Sequence, residues 1–150
     1  MTMALEPTDR LRSTSRALPI ALLRARETVM APIRDMLQGI GLTEQKWRIL
    51  RTLDELGEVG QSTIAREACI LLPSLTRTLR AMEEDGLIER RQDIKDKRKT
   101  LVRISGKGRQ LLIDNMSHAL EIYKNIEQQL GTRRLEQLFE ILGELKDVKV

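Results

Sequence analysis

Few residues in this chain can do chemistry. There is one cysteine, Cys69, and one histidine, His118. A Cys/His metal site needs more ligands than that, and an internal disulfide is impossible. His118 is accompanied by neither a nucleophile-elbow motif nor a phosphate-cradling glycine loop. An enzyme is therefore not expected, and neither a cofactor nor a metal is implied. What remains is cationic chemistry. Between Pro73 and Gln110 stand 11 Lys/Arg and 6 Asp/Glu, a local excess of +5, while the rest of the chain has 15 basic and 16 acidic residues. Such a stretch suits a polyanion; a solvated charged surface is the plain alternative. Arg26 flanks the apolar residues Leu22, Ala25 and Val29, where a guanidinium either pairs with an acid or offers two parallel donors to a carboxylate. Trp47, the single tryptophan, reads as core or as the wall of a pocket, with Arg48 beside it. Cys69 reads as a small structural residue at the buried end of a helix, since no second cysteine can resolve a sulfenic acid. His118 reads as an exposed helix residue.

These residues need elements to position them. A length of 150 residues, 41% hydrophobic and 32% charged, supports one domain with its own core. The only aromatics are Trp47, Tyr123 and Phe139, too few for base-stacking platforms. No apolar run reaches membrane-spanning length, Met1 to Arg16 lacks a signal-peptide core, and the expected location is the cytoplasm. Met1 to Ser15 reads as a loose arm. Leu18, Leu22, Ala25, Val29, Ile33, Met36 and Ile40 recur in helical steps, with Pro19 in the first turn and Pro32 expected to bend or split the helix near Ala31. Thr43 is a candidate N-cap for a helix that Gly57 stops. A short helix, Gln61 to Cys69, and a tight turn lead to Pro73, which opens a helix to Asp85. There Leu75, Leu79 and Met82 face inward, and Arg77 and Arg80 lie near the opposite face. Leu87 to Arg91 and Thr100 to Ile104 are the only plausible strands, and they flank a tip holding Lys95, Lys97, Arg98 and Lys99. Ser105 can cap the next helix. Gly131 and Thr132 form a junction before the last one, in which Leu135, Leu138, Leu142 and Leu145 make a seam. The fold class is mainly α with a small β-hairpin: a winged helix-turn-helix plus a helical region whose seams suit helix–helix packing.

The segment Asp96-Lys97-Arg98-Lys99-Thr100-Leu101-Val102-Arg103-Ile104-Ser105-Gly106-Lys107-Gly108 resembles the wing signature D-x-R-x-x-x-V-x-L-T-x-x-G of MarR-type regulators. Ile104 stands for the usual Leu and Ser105 for the usual Thr. Leu75-Thr76-Arg77 through Met82-Glu83-Glu84-Asp85-Gly86-Leu87-Ile88 resembles the family's recognition helix and its exit. The likeness spans nearly the whole chain. Leu42-Thr43-Glu44-Gln45-Lys46-Trp47-Arg48-Ile49, Ile20-Ala21-Leu22-Leu23 with Ala25-Arg26-Glu27, and Ala68-Cys69-Ile70-Leu71 with Pro73-Ser74-Leu75-Thr76 are similar to the branch that represses homoprotocatechuate- and 4-hydroxyphenylacetate-type catabolism.

The resemblance implies a homodimeric repressor that binds double-stranded operator DNA and is released by a small aromatic acid. It implies one MarR-like domain over 1–150, with dimerisation helices at 17–40 and 106–150. The DNA-binding region is 43–105, with its wing at 87–105. The expected DNA-facing residues are Ser62, Thr63, Pro73, Ser74, Thr76, Arg77, Arg80, Asp96, Lys97 and Arg98. Of these, Asp96 steadies the wing and Arg98 enters the minor groove. The expected ligand residues are Arg26, Trp47 and Arg48. Alternatives are a redox-sensing repressor using Cys69, or a winged-helix module that docks on protein.

Overall fold

The computed structural model describes residues 13–150. The loose-arm reading of Met1 to Ser15 lies mostly outside the described residues; Thr14–Arg16 form a single 3-10 turn. Six α-helices and a three-stranded sheet follow in the order α1 (Leu18–Gly39), α2 (Glu44–Leu56), β1 (Val59–Gly60), α3 (Gln61–Glu67), α4 (Leu72–Glu84), β2 (Ile88–Gln92), β3 (Thr100–Ile104), α5 (Gly106–Leu130) and α6 (Thr132–Lys146). Among the described residues, no helix is long and apolar enough to cross a membrane.

Local chemistry sets most of these boundaries. Pro19 sits in the first turn of α1, where a missing N–H costs nothing. Pro32 does not split the helix: α1 runs unbroken through it. The residues just beyond, Ile33, Met36 and Leu37, are buried, and that tertiary contact holds a turn that a proline alone would break. The Thr43 side chain accepts from the Lys46 N–H at 3.3 Å and opens α2; Gly57, at φ +77°, closes it. Ser105 accepts from the Gly108 N–H at 3.0 Å and opens α5. Gly131 is at once the end of α5 and the cap of α6, so Thr132 is the first helical residue rather than the cap.

Three further expectations need correction. The first concerns the sheet, which has a third strand, Val59–Gly60, giving the order β1-β3-β2. Val59 pairs with Val102 and Gly60 with Leu101, while β2 pairs with β3 from Ile88↔Ile104 to Gln92↔Thr100. A strand of this length has no periodicity to read. The second is the start of β2, which lies one residue later than expected. The Leu87 N–H turns back to the Met82 carbonyl at 2.9 Å and finishes α4. The third is Cys69, which is exposed at φ +54° outside α3, not buried at its end. The core centres on α2, whose Trp47, Ile49, Leu50 and Leu53 meet Ile33 and Leu37 of α1, Ile64 of α3, Leu75, Leu79 and Met82 of α4, Val102 of β3 and Leu112 and Ala119 of α5.

Candidate nucleic-acid interface and ligand cleft

The inward face of α4 leaves Pro73, Thr76, Arg77 and Arg80 exposed and Ser74 half-buried. Among the described residues neither Arg77 nor Arg80 has an acidic partner. Four other arginines of the cationic stretch are less available. Arg91 grips Glu58 at 3.0 and 2.5 Å, Arg103 meets Glu89 at 2.6 Å, Arg90 meets Glu83 at 2.9 Å and Arg109 meets Asp54 at 3.5 Å. The Arg91 hydrogen bond holds the Glu58 carboxyl below the usual carboxylate range, and Arg90 does the same to Glu83. The +5 excess thus includes several cations that fasten the sheet.

Two acids shape the wing tip. Asp93 Oδ1 accepts from the Lys95 N–H at 3.0 Å and Asp96 Oδ1 from the Arg98 N–H at 3.1 Å. The Lys99 N–H donates to the Asp96 carbonyl at 2.9 Å, and the Asp93 N–H to the Lys99 carbonyl at 2.9 Å. These side-chain turns leave Lys97 exposed and the Arg98 side chain 95% exposed. Ser62 and Thr63, at the start of α3, line one groove with Arg98, Lys99 and Leu72.

A separate cleft of about 340 Å³ lies among α1, α2, α5 and the turn after α3. Its walls include Glu44, Trp47, Arg48, Arg51, Cys69 and Tyr123. Trp47 is 2% exposed, and its Nε1 has no hydrogen-bond partner among the described residues. Arg48 Nη1 donates to the carbonyls of Ala68 at 2.8 Å and Cys69 at 3.2 Å, while its buried Nε is likewise unpartnered. Arg51 Nη1 donates to the Tyr123 hydroxyl at 3.2 Å, and its guanidinium carbon is 5.9 Å from that ring's centroid. Arg26 does not line the cleft; it forms an ion pair with Glu44, which does. A larger cavity of about 480 Å³ at the root of the wing is lined by Glu58, Glu89, Arg103 and Arg109, whose charges are already paired. The smaller cleft holds two of the buried donors left without a partner among the described residues, Trp47 Nε1 and Arg48 Nε; a third, Arg90 Nε, lies at the sheet.

Of the three ligand residues read from the sequence, the structure brings Trp47 and Arg48 together and leaves Arg26 one ion pair away. Sequence reasoning missed Arg51 and Tyr123. Arg51 lies three and four residues after Arg48 and Trp47, so the wheel that placed those residues could have found it. Tyr123 comes from α5, and only tertiary packing brings it there.

Residues 42–100 match the model of the MarR family. The chain is 40% identical over 128 residues to the homoprotocatechuate degradative operon repressor of Escherichia coli, a match covering 85% of this chain and 86% of that protein. Among solved structures, the transcriptional regulator PA4135 matches with a TM-score of 0.82 and 41% identity, over 89% of this chain and 98% of that one. NadR in complex with 4-hydroxyphenylacetate matches with a TM-score of 0.81 and 33% identity, over 92% of this chain and 98% of that one.

Proposed function

The chain belongs to the MarR family of transcriptional regulators, and on that premise we propose that it is a homodimeric repressor of aromatic-catabolism genes, released from DNA by an aromatic or phenolic acid. Two α4 helices, one from each protomer, enter successive major grooves, and each wing sets its cations beside a minor groove. Arg77, in the leading half of α4, reads a base edge; Arg80, further along, meets a phosphate. Ser62, Thr63, Pro73, Ser74, Thr76 and Lys97 complete the DNA-facing set. Dimerisation uses the helices within 17–40 and 106–150. This is supported by Leu18 and Leu22 on α1 and Leu138, Phe139 and Leu142 on α6, apolar side chains left exposed in the single chain. The regulator acts in the cytoplasm.

The cleft carries the ligand half of this reading. Trp47 Nε1 and Arg48 Nε are buried donors without acceptors among the described residues, and a buried donor without an acceptor is costly. An aromatic acid brings a carboxylate for such donors and a ring for the apolar wall. The names of two relatives point the same way: one represses a homoprotocatechuate operon, and the other was solved with 4-hydroxyphenylacetate. Release follows if the acid binds better to a dimer whose α4 spacing does not fit the operator, by a factor equal to its differential affinity for the two states.

The test uses duplexes that the protein itself selects from a random pool. Adding 4-hydroxyphenylacetate to the complex should free the DNA; retention across a panel of aromatic acids would overturn the reading. A steep salt dependence of DNA binding separates this protein from a module that docks on protein. One observation favours a second reading, release by thiol oxidation: Cys69 is exposed on the cleft wall. Release by peroxide in the wild type but not in Cys69→Ser would select it.

A further inference from the structure

The turn between α3 and α4 is held in an unusual way. The Cys69 N–H donates to the Arg66 carbonyl at 3.4 Å and the Ile70 N–H to the Ala65 carbonyl at 2.9 Å. This closure places the residue after the cap in the left-handed region, a position that favours glycine. Here Cys69 occupies it at φ +54°, as no other non-glycine does among the described residues. An L side chain is strained there. The neighbouring carbonyls of Ala68 and Cys69 both accept from one nitrogen, Arg48 Nη1, at 2.8 and 3.2 Å. A guanidinium from α2 therefore holds a strained turn. Leu72, the first residue of α4, follows three positions after Cys69.

Arg48 also lines the cleft. A guanidinium has five donors in one plane. Its Nη1 is committed to the turn, whereas Nε is buried and has no partner among the described residues. The edge that carries Nε and Nη2 matches the two oxygens of a carboxylate. Resting on the ligand-released reading above, we infer that Arg48 is the positioning residue that joins the cleft to the recognition helix. Nη1 holds the turn, and the opposite edge takes the anion. A carboxylate bound on that edge fixes the guanidinium on both sides. It thereby fixes the turn, and the start of α4, relative to α2.

Hydrogen exchange read by mass spectrometry tests this without an operator, using 4-hydroxyphenylacetate as the probe. In the wild type, the acid should slow exchange in residues 66–72 by at least about fivefold, the lower end of ordinary coupling between sites. Exchange in residues 44–56, the α2 wall, should slow as well. Arg48→Lys keeps the charge but has no second edge. In that variant the acid binds more weakly, so its concentration is raised until 44–56 are protected as in the wild type; 66–72 should then no longer respond. Equal protection of the turn in Arg48→Lys would overturn the inference. So would a wild-type turn indifferent to the acid while 44–56 respond; that arm stands even if the variant fails to fold. If no wild-type segment responds, the ligand reading itself fails, and the inference with it.

Discussion

Among the described residues Arg77 has no acid beside it and Arg91 has one, although both belong to the same cationic stretch. The difference decides what each can do. A guanidinium already gripping a carboxylate is a fastener; a free one on an exposed helix face can read a base. Arg77→Ala should therefore cost on the order of 1–3 kcal/mol on selected DNA and little on random DNA. Competition assays with both duplexes check this, and equal losses would make Arg77 a phosphate contact. Arg26 meets the cleft only through Glu44. Arg26→Ala would leave that carboxylate uncompensated at the margin of the proposed anion site. Affinity for 4-hydroxyphenylacetate should then fall about five- to tenfold, the scale of one unscreened like-charge contact at the surface, as calorimetric titration would show. Sequence placed Arg26 beside an apolar stripe but could not name the acid it pairs with, because Glu44 lies on another helix.

At the scale of elements, what could be read from sequence follows from how local each cause is. Thr43 and Gly57 bound α2 where expected, since a cap and a left-handed glycine act within one turn. β1 was illegible because its partner, β3, lies some forty residues on. Pro32 does not split α1, because burial of Ile33, Met36 and Leu37 overrides a local break. Gly108 is a further close approach: a Cβ there would overlap the Leu87 carbonyl oxygen, where α5 crosses the entrance to β2. Gly108→Ala should lower stability by about 1–3 kcal/mol, seen as an earlier denaturant midpoint with an unchanged slope. The sheet also carries a pH dependence. Glu58 ionises below its usual range because Arg91 bonds to it, so its contribution is present above the unfolded carboxylate pKa and is lost as pH falls through the lower folded value. The melting temperature should therefore drop on acidification below about pH 4.5, and Glu58→Gln should flatten that part of the curve. The Glu58–Arg91 pair is exposed, so the change will be small.

For the whole molecule, the seam read from Leu135, Leu138, Leu142 and Leu145 has no buried residue within one chain. Leu138 and Leu142 are 41% and 39% exposed. The helical rhythm was legible; which surface covers it was not, because the proposed partner is a second copy. Leu138→Asp should leave a folded monomer, since the charge would stand unpaired in an apolar interface. Analytical ultracentrifugation together with circular dichroism checks this, and a persisting dimer would move the interface elsewhere. The small strand β1 has a consequence for the entire DNA-reading body. By pairing Val59 and Gly60 with Val102 and Leu101, it closes a ring of chain that contains α3, α4, β2 and the wing tip. The entropy of closing a ring grows only with the logarithm of its length, about 3 kcal/mol for some forty residues, and each doubling adds only about 0.6 kcal/mol. Residues inserted at the wing tip between Asp93 and Lys99 would therefore barely burden the fold, and the wing can lengthen toward new DNA while α4 stays seated. A single residue inserted at Gly60 or Leu101 would instead shift the register of the closure and unfasten recognition helix and wing together.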